Sequence, residues 1–304
     1  MNQVQLNQMT VAIIFGGDSP ERLISCQSAQ AVERALRQLG CHVIQIDQSK
    51  SALVEILTSK RHIIDVCFIA CHGADGEDGH VQALLDLLEI PYTGSRFDAC
   101  ALAMNKMMSK MVWQTAGLSS PKAQWLNTPD SSLVNVAYPA VIKPINQGSS
   151  VGVVKVETPE EVPAGWHEAS EYGPVMIESW IQGNELTVAI VGNTPLPVVK
   201  IVPSGAFYDY QSKYQTPSTY YCPSGLTKEQ TSEIQQIALK AFKAIGGVGW
   251  GRVDFIQSHD DGQFYLIEIN MIPGMTEKSL VPKAAQEYGW SFNQLVEQIM
   301  MQIP

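Results

Sequence analysis

The 304-residue sequence contains no run of lysine or arginine, and its formal net charge is -10. A protein that holds nucleic acid needs a basic surface against the phosphate backbone, so a nucleic-acid partner is not expected. The sequence also has no apolar stretch of roughly 18 residues, and residues 1–10 lack the basic start and apolar centre of a signal peptide. We therefore expect a cytoplasmic protein that does not insert into membranes.

Six cysteines are scattered along the chain, mostly inside apolar segments, so a disulfide framework is not expected. Cys67, Cys71 and His72 are residue types that bind zinc, but no second cluster completes a ligand set. Reduced, buried thiols are the favoured interpretation.

Strand and helix patterns alternate through the first hundred residues. Strands are predicted at 11–17, 42–47 and 65–71, with helices at 21–39 and 51–59 between them. This alternation predicts a parallel α/β domain of the Rossmann-like type, with ligands bound after the carboxyl ends of the strands. The glycine-rich segments GGDSPER and HGADGEDG fall at those positions.

The remaining sequence changes character along its length. One long helix is predicted over 97–117, short strands and turns follow, and a mixed α+β pattern begins near residue 180. The fold class is thus α/β, with an α+β C-terminal half. We predict three domains that share one cleft, at 1–102, 103–181 and 182–304.

The last two predicted strands, GRVDFIQ and QFYLIEIN, carry an unusual set of polar residues. If they form a hairpin with a three-residue loop ending at Gly262, Asp254 lies opposite Glu268 and Arg252 lies opposite Asn270. Such a face is often simply solvated. Two carboxylates and an amide oxygen, however, form a hard-oxygen set suited to Mg²⁺, and a guanidinium beside them suits a phosphoryl group or an oxyanion.

Two other segments suit phosphate binding. In KPINQGSSVGV, Lys143 precedes a loop of small residues whose backbone N–H groups can approach phosphate oxygens. Lys106 in AMNKMMSK adds a second lysine. Glycine-serine turns and helical lysines are common, so these signals gain weight only together with the hairpin.

Two aromatic segments have more than one interpretation. IESWIQGNELTV contains the aromatic ring of Trp180, which could form an apolar wall against adenine, and carboxylates that could hold the ribose. The alternative is a strand pair with an exposed turn. FYDYQSKY is typical of an active-site lid, or it is a surface loop that packs its own tyrosines.

Taken in order and spacing, ten motifs resemble the D-alanine–D-alanine ligase family of the ATP-grasp superfamily, nearly from end to end. They are GGDSPER, HGADGEDG, PYTGS, MNK, KPINQGSSVGV, ESWIQGNELTV, FYDYQSKY, GWGRVDF, EIN and PGMTEKSLVP. The resemblance implies an ATP-grasp fold and a ligase that phosphorylates the carboxylate of one D-alanine before the amine of a second attacks it. It further implies ATP, two Mg²⁺ ions (with Mn²⁺ as a substitute) and a homodimer active in peptidoglycan precursor synthesis.

The resemblance also assigns roles to residues of this sequence. The first D-alanine would bind through its ammonium group to Glu21, which forms a hydrogen-bonded triad with Ser149 and Tyr214, and His72 would line the same subsite. ATP would contact Lys106, Lys143, Glu178, Trp180, Glu185 and Lys213. The metal ions would bind Asp254, Glu268 and Asn270, and Arg252 with the Gly274 N–H would form an oxyanion hole. Ser279 and Leu280 would receive the carboxylate of the second D-alanine.

Family members that make a D-lactate ester tend to have phenylalanine in place of Tyr214, so this tyrosine favours an amine acceptor. The sequence departs from the family pattern at Leu23, Met271 and the pair Glu277 and Lys278. Met271 and Lys278 are close in sequence to the metal set and to the second subsite, respectively.

Three alternatives remain open to test. The first is an ATP-grasp ligase of another carboxylate and amine. The second is a non-catalytic nucleotide-binding relative, which the intact set of Arg252, Asp254, Glu268 and Asn270 disfavours, because buried charges cost desolvation. The third is a dinucleotide oxidoreductase, which GGDSPER disfavours because it lacks the G-x-G-x-x-G spacing.

Overall fold

The computed structural model describes residues 6–48, 52–73, 76–202 and 219–303. Its first part is a three-stranded parallel sheet of order β2-β1-β3. The elements are β1 (Thr10–Gly16), α1 (Arg22–Gln38), β2 (His42–Gln48), α2 (Ala52–Lys60), a 3-10 turn (Arg61–Ile63), β3 (Val66–Ile69) and α3 (His80–Leu87). The predicted parallel α/β architecture is confirmed. Residues 11–14 of β1 are fully buried, as expected for a central parallel strand.

The single helix predicted over 97–117 is wrong, because two helices occupy this stretch. They are α4 (Phe97–Met104) and α5 (Lys106–Thr115). Asn105 between them is extended, with φ -89° and ψ 99°, and its side chain accepts a hydrogen bond of 3.0 Å from the Met108 N–H. Asn105 is therefore an N-cap rather than a helical residue, and it makes Lys106 the first residue of α5.

An antiparallel sheet of order β4-β7-β5-β6 follows. Its elements are β4 (Ala123–Trp125), a 3-10 turn (Ser131–Leu133), β5 (Ala140–Pro144), β6 (Val154–Val156), a 3-10 turn (Pro159–Glu161), α6 (Val162–Ser170) and β7 (Val175–Ser179). Helix α6 packs on β5 and β6, and a separate apolar core that includes Leu126, Ile142 and Ile177 fills the space between the layers. The strand β5 is an inner strand that ends at Pro144, and Lys143 near its end pairs with Met176 of β7.

A larger antiparallel sheet completes the fold, with the order β11-β10-β8-β12-β13 and β9 paired to β8. Its elements are β8 (Gly183–Val191), β9 (Thr194–Pro195), β10 (Val199–Val202), β11 (Thr219–Tyr221), α7 (Lys228–Ala244), β12 (Trp250–Ser258), β13 (Phe264–Asn270), α8 (Leu280–Tyr288) and α9 (Phe292–Met300). Helices α7 and α8 cover one face of this sheet. Its main apolar core is continuous with that of the first sheet.

The hairpin β12–β13 has the predicted pairs Arg252 with Asn270 and Asp254 with Glu268. The three-residue loop predicted for it is wrong, because Ser258 N donates to Gln263 O and four residues lie between them. Gly262 in that loop has φ +71°, the left-handed conformation that was expected. A β-bulge between the loop and the polar pairs restores the predicted register.

The bulge decides which way the polar side chains point. Asp254 pairs with Glu268, whereas Phe255 pairs with Leu266, so Ile267 is the extra residue. In a regular strand Leu266, Glu268 and Asn270 would share one face. Here Leu266 is fully buried in the core, while the two polar side chains face the opposite side. An extra residue that redirects the side chains after it is the usual effect of a bulge.

We expect Leu266→Ala to lower the free energy of unfolding by about 3 kcal/mol, because it removes buried methyl groups from the core. Ile267→Ala should cost only about 1 kcal/mol, because the bulge turns that side chain out of the core. Urea unfolding followed by circular dichroism measures both. Equal losses, or a larger loss for the Ile267 variant, would contradict the bulged arrangement.

Candidate active site

A cavity of about 900 Å³ opens between the two antiparallel sheets and the first domain. Every predicted site residue in the described part of the chain lines it. These residues are Glu21, His72, Lys106, Lys143, Ser149, Glu178, Trp180, Glu185, Arg252, Asp254, Glu268, Asn270, Gly274, Ser279 and Leu280. The two other predicted residues, Lys213 and Tyr214, and the lid predicted around them lie outside the described residues.

Asp254 is the centre of the polar face on β12 and β13. The Arg252 guanidinium donates to both of its carboxylate oxygens, at 2.9 Å and 2.7 Å. Asn270 Nδ2 donates to Oδ2 at 3.0 Å, and Thr187 Oγ1 on β8 donates to Oδ1 at 2.6 Å. These bonds fix the direction of the guanidinium relative to the cavity. Thr187 was missed in the sequence, since only the pairing of β8 with β12 brings it to Asp254.

Lys106 links three segments of the cavity wall. Its Nζ donates to the Gln147 carbonyl oxygen at 2.6 Å, in the loop that follows β5. The same atom lies 3.5 Å from Glu268 Oε2 on β13. The lysine is thus held against the glycine-serine loop and beside the polar face of the hairpin, which is suitable for a group that contacts phosphate oxygens.

Glu178 lies between two buried lysines. Lys143 Nζ contacts its Oε1, and Lys110 Nζ lies 2.8 Å from its Oε2. Burial by itself raises the pKa of Glu178, but the two ammonium groups outweigh it and bring this pKa to about 2. Lys110 was missed, although its position four residues after Lys106 places both lysines on one face of α5.

Glu21 and Ser149 connect the first domain to the glycine-serine loop. Ser149 Oγ donates a hydrogen bond to Glu21 Oε1. Ser149 and Ser150 adopt φ values of +53° and +57°, which are uncommon for residues other than glycine. Strained backbone of this kind is found at ligand sites, and here it turns the Ser149 hydroxyl toward the carboxylate.

His72 joins the first domain to the segment that carries Gly274. Its Nδ1 lies 2.8 Å from the Ile272 carbonyl oxygen, so Nδ1 carries the proton. Its Nε2 then accepts from Ser28 Oγ at 3.0 Å, and that oxygen accepts the Met275 N–H at 3.0 Å. Burial lowers the pKa of His72 and outweighs the opposing charge of Glu21. Through these bonds His72 connects the first domain to Ile272 and Met275, on either side of Gly274.

Glu77, within the HGADGEDG motif, is a further cavity residue to which the sequence analysis gave no role. Removal from water raises its pKa well above the usual value, and the negative charges of Glu21 and Glu268 raise it further. The Arg252 guanidinium opposes this shift.

The N-terminus of α8 forms one end of the cavity. Ser279 is its N-cap, and Ser279 Oγ accepts the Thr276 N–H at 3.0 Å. A Cβ on Gly274 would lie 2.8 Å from this hydroxyl, so a larger residue there would displace the Ser279 side chain. Helix N-termini attract carboxylates, and Lys278 and Lys283 line the same region. Lys283 was missed, because a lysine inside a helix carries no signal of its own.

The region around Trp180 and Glu185 is the apolar end of the cavity. Ile256 and Ile267 lie there with them, and the Lys155 ammonium sits 4.9 Å from the centre of the Trp180 ring. A flat apolar wall with carboxylates at its edge suits a purine and its ribose.

Met271, a departure from the family pattern, does not face the cavity. It is buried, and Ser95 Oγ lies 3.5 Å from its sulfur atom. It therefore packs in the core between the PYTGS segment and the hairpin, whereas Lys278 does line the cavity.

The described residues contain no group of three His, Cys, Asp or Glu side chains placed to hold a metal ion. The predicted set has only two such side chains, Asp254 and Glu268, with the Asn270 amide. This composition fits Mg²⁺, which is often held by one or two carboxylates while water and phosphate oxygens fill its other positions. In the described ranges, no helix is long and apolar enough to cross a membrane.

We expect His72 to remain neutral at pH 6.5, where an unperturbed histidine is half protonated, with its proton on Nδ1. A long-range proton–nitrogen NMR spectrum reports both properties, and loss of the signals in His72→Asn assigns them. A doubly protonated ring, or a proton on Nε2, would contradict the network described here.

A sequence model described as "D-ala D-ala ligase C-terminus" matches residues 111–301, and one described as "D-ala D-ala ligase N-terminus" matches residues 51–95. A D-alanine–D-alanine ligase of Alkalilimnicola ehrlichii is 44% identical over 296 residues, which cover 96% of this chain and 93% of that protein.

Solved structures agree. The VanG D-Ala:D-Ser ligase of Enterococcus faecalis superposes with a TM-score of 0.85 at 28% identity, covering 97% of this chain and 99% of that one. The ATP complex of the Bacillus anthracis D-alanine–D-alanine ligase superposes with a TM-score of 0.82 at 27% identity, with 97% of both chains covered. The α/β fold of the ATP-grasp type predicted from the resemblance is thereby confirmed. On sequence and structure together, the chain belongs to the D-alanine–D-alanine ligase family.

Proposed function

We propose that this chain joins two D-alanine molecules into D-alanyl-D-alanine, with conversion of ATP to ADP and phosphate, as a step in peptidoglycan precursor synthesis. The observation that carries this proposal is the convergence of the predicted ATP, metal and D-alanine residues on one cavity. Family membership supports the same reaction.

The nucleotide would lie between the two antiparallel sheets. Its base and ribose would contact Trp180, Glu178 and Glu185 at the apolar end. Lys106 and Lys143, with Lys213 from outside the described residues, would neutralise its phosphates. Lys106 is supported in this role by its contacts with the glycine-serine loop and with Glu268.

Asp254, Glu268 and Asn270 would hold Mg²⁺. When bound there, the metal offsets negative charge on the β- and γ-phosphates. Arg252, which Asp254 orients, would balance charge on the transferring phosphoryl group, and the Gly274 N–H would complete an oxyanion hole.

The first D-alanine would bind through its ammonium group to Glu21. Ser149 holds that carboxylate in place, and Tyr214 would join them as the third member of a triad. The second D-alanine would place its carboxylate at Ser279 and the first turn of α8, where the helix N-terminus favours negative charge.

His72, by tying Ile272 and Met275 to the first domain, would keep the Gly274 segment beside the reacting carboxylate. Such positioning contributes a large part of a rate enhancement, because it lowers the entropic cost of bringing the two substrates together in the transition state. The homodimer and the cytoplasmic location remain predictions from the sequence.

The direct test measures phosphate release from Mg-ATP in the presence of D-alanine, L-alanine, D-serine or D-lactate, with products identified by mass. We expect D-alanine alone to give strong release and a D-alanyl-D-alanine product. D-Serine is included because the VanG relative is named a D-Ala:D-Ser ligase. No stimulation by D-alanine would exclude the proposed reaction.

The metal assignment has its own test. We expect chelation with EDTA to abolish phosphate release and added Mg²⁺ to restore it. Glu268→Gln should raise the Mg²⁺ concentration for half-maximal rate by about tenfold or more, because one metal carboxylate is lost. The exposed Glu233→Gln is the matched control. An unchanged Mg²⁺ requirement in the Glu268 variant would remove this residue from the metal set.

A further inference from the structure

Lys110 is a buried cation that contacts Glu178 but does not line the cavity. It is only 5% exposed, and it is absent from the described residues that line the cavity. Lys143 and Glu178 both line the cavity and are equally buried. The three side chains therefore form a row in which Lys110 supports the carboxylate from behind.

The row contains two ammonium groups and one carboxylate. Lys143 contacts Oε1 of Glu178, and Lys110 lies 2.8 Å from Oε2. Each carboxylate oxygen has two lone pairs and contacts only one of the two ammonium groups, so it can accept one further hydrogen bond. A buried carboxylate oxygen that keeps acceptor capacity beside a cavity suits an N–H donor of a ligand.

Without Lys110, a single cation would face Glu178. The carboxylate would then turn toward Lys143. With Lys110 present, each carboxylate oxygen contacts one ammonium group, so the carboxylate is held in one direction from both sides. Burial lowers the pKa of the Lys110 ammonium, while Glu178 acts against that shift.

We propose that Lys110 is a positioning residue that holds Glu178 in the direction from which it accepts a hydrogen bond from the purine base. Adenine carries an amino group at its six-position, whereas guanine carries a carbonyl oxygen there, which a carboxylate repels. Lys110 would thus set the preference for ATP over GTP without touching either nucleotide. This inference rests on the proposed function in taking the ligand to be ATP.

The test compares wild type, Lys110→Met and Lys110→Arg for binding of Mg-ATP and Mg-GTP by calorimetry, together with kcat and KM. We expect Lys110→Met to weaken ATP binding by about tenfold, the lower end of the loss seen when groups that orient metal ligands are removed. GTP binding and kcat should change by no more than about twofold, since Lys110 contacts neither the phosphates nor the reacting groups. Lys110→Arg, which keeps the charge, should restore most of the affinity.

Two controls separate positioning from general damage. Lys240→Met makes the same change at an exposed helical lysine and should leave both affinities unchanged. In a Glu178→Gln background, Lys110→Met should have no further effect on ATP binding, because the two residues act through one contact.

A folded Lys110→Met protein with wild-type ATP affinity and an unchanged ATP-to-GTP ratio would overturn the inference. If Lys110→Met does not fold, Lys110→Gln is measured in the same way. Failure of both neutral variants to fold would show that Lys110 serves stability and would also overturn it. Absence of ATP binding by the wild type would instead refute the proposed function.

Discussion

The site depends on one local irregularity, the bulge at Ile267 in β13. Before it, the strand alternates regularly and buries Leu266. After it, the positions that face the core and those that face the cavity are exchanged. Glu268 and Asn270 therefore face the cavity, where they pair with Asp254 and Arg252 of β12. Without the bulge, the same sequence would direct a carboxylate and an amide into an apolar core, at a cost that no partner there could offset. The extra residue therefore creates the polar face and protects the core.

Carboxylates and cations are paired around the cavity, and the cations Arg252 and Lys143 line it. Asp254 fixes Arg252, and Glu178 lies between Lys110 and Lys143. In each case a carboxylate reduces the desolvation cost of burying a cation and also holds it in one direction. Preorganised charge of this kind is what phosphoryl transfer requires, because the protein contributes mainly position and electrostatics.

Much of this arrangement could be predicted from the sequence, since local patterns and motif order determine it. The parallel first domain and the pairing of Asp254 with Glu268 are examples. The pairing was predicted from a loop one residue too short, and the bulge compensated for that error. The break at Asn105 was missed because helical spacing continues across it. Thr187, Lys110 and Ser28 were missed because their roles come from strand order and packing, which no local pattern contains.

The proposed reaction begins with transfer of a phosphoryl group from ATP to the carboxylate of the first D-alanine. Its most direct test uses D-alanine whose carboxylate carries heavy oxygen, with unlabelled ATP and water, followed by mass spectrometry of the released phosphate. Attack of the carboxylate on the γ-phosphorus predicts one heavy oxygen in each phosphate formed during ligation. Unlabelled phosphate released together with D-alanyl-D-alanine would show that the carboxylate does not attack the γ-phosphorus.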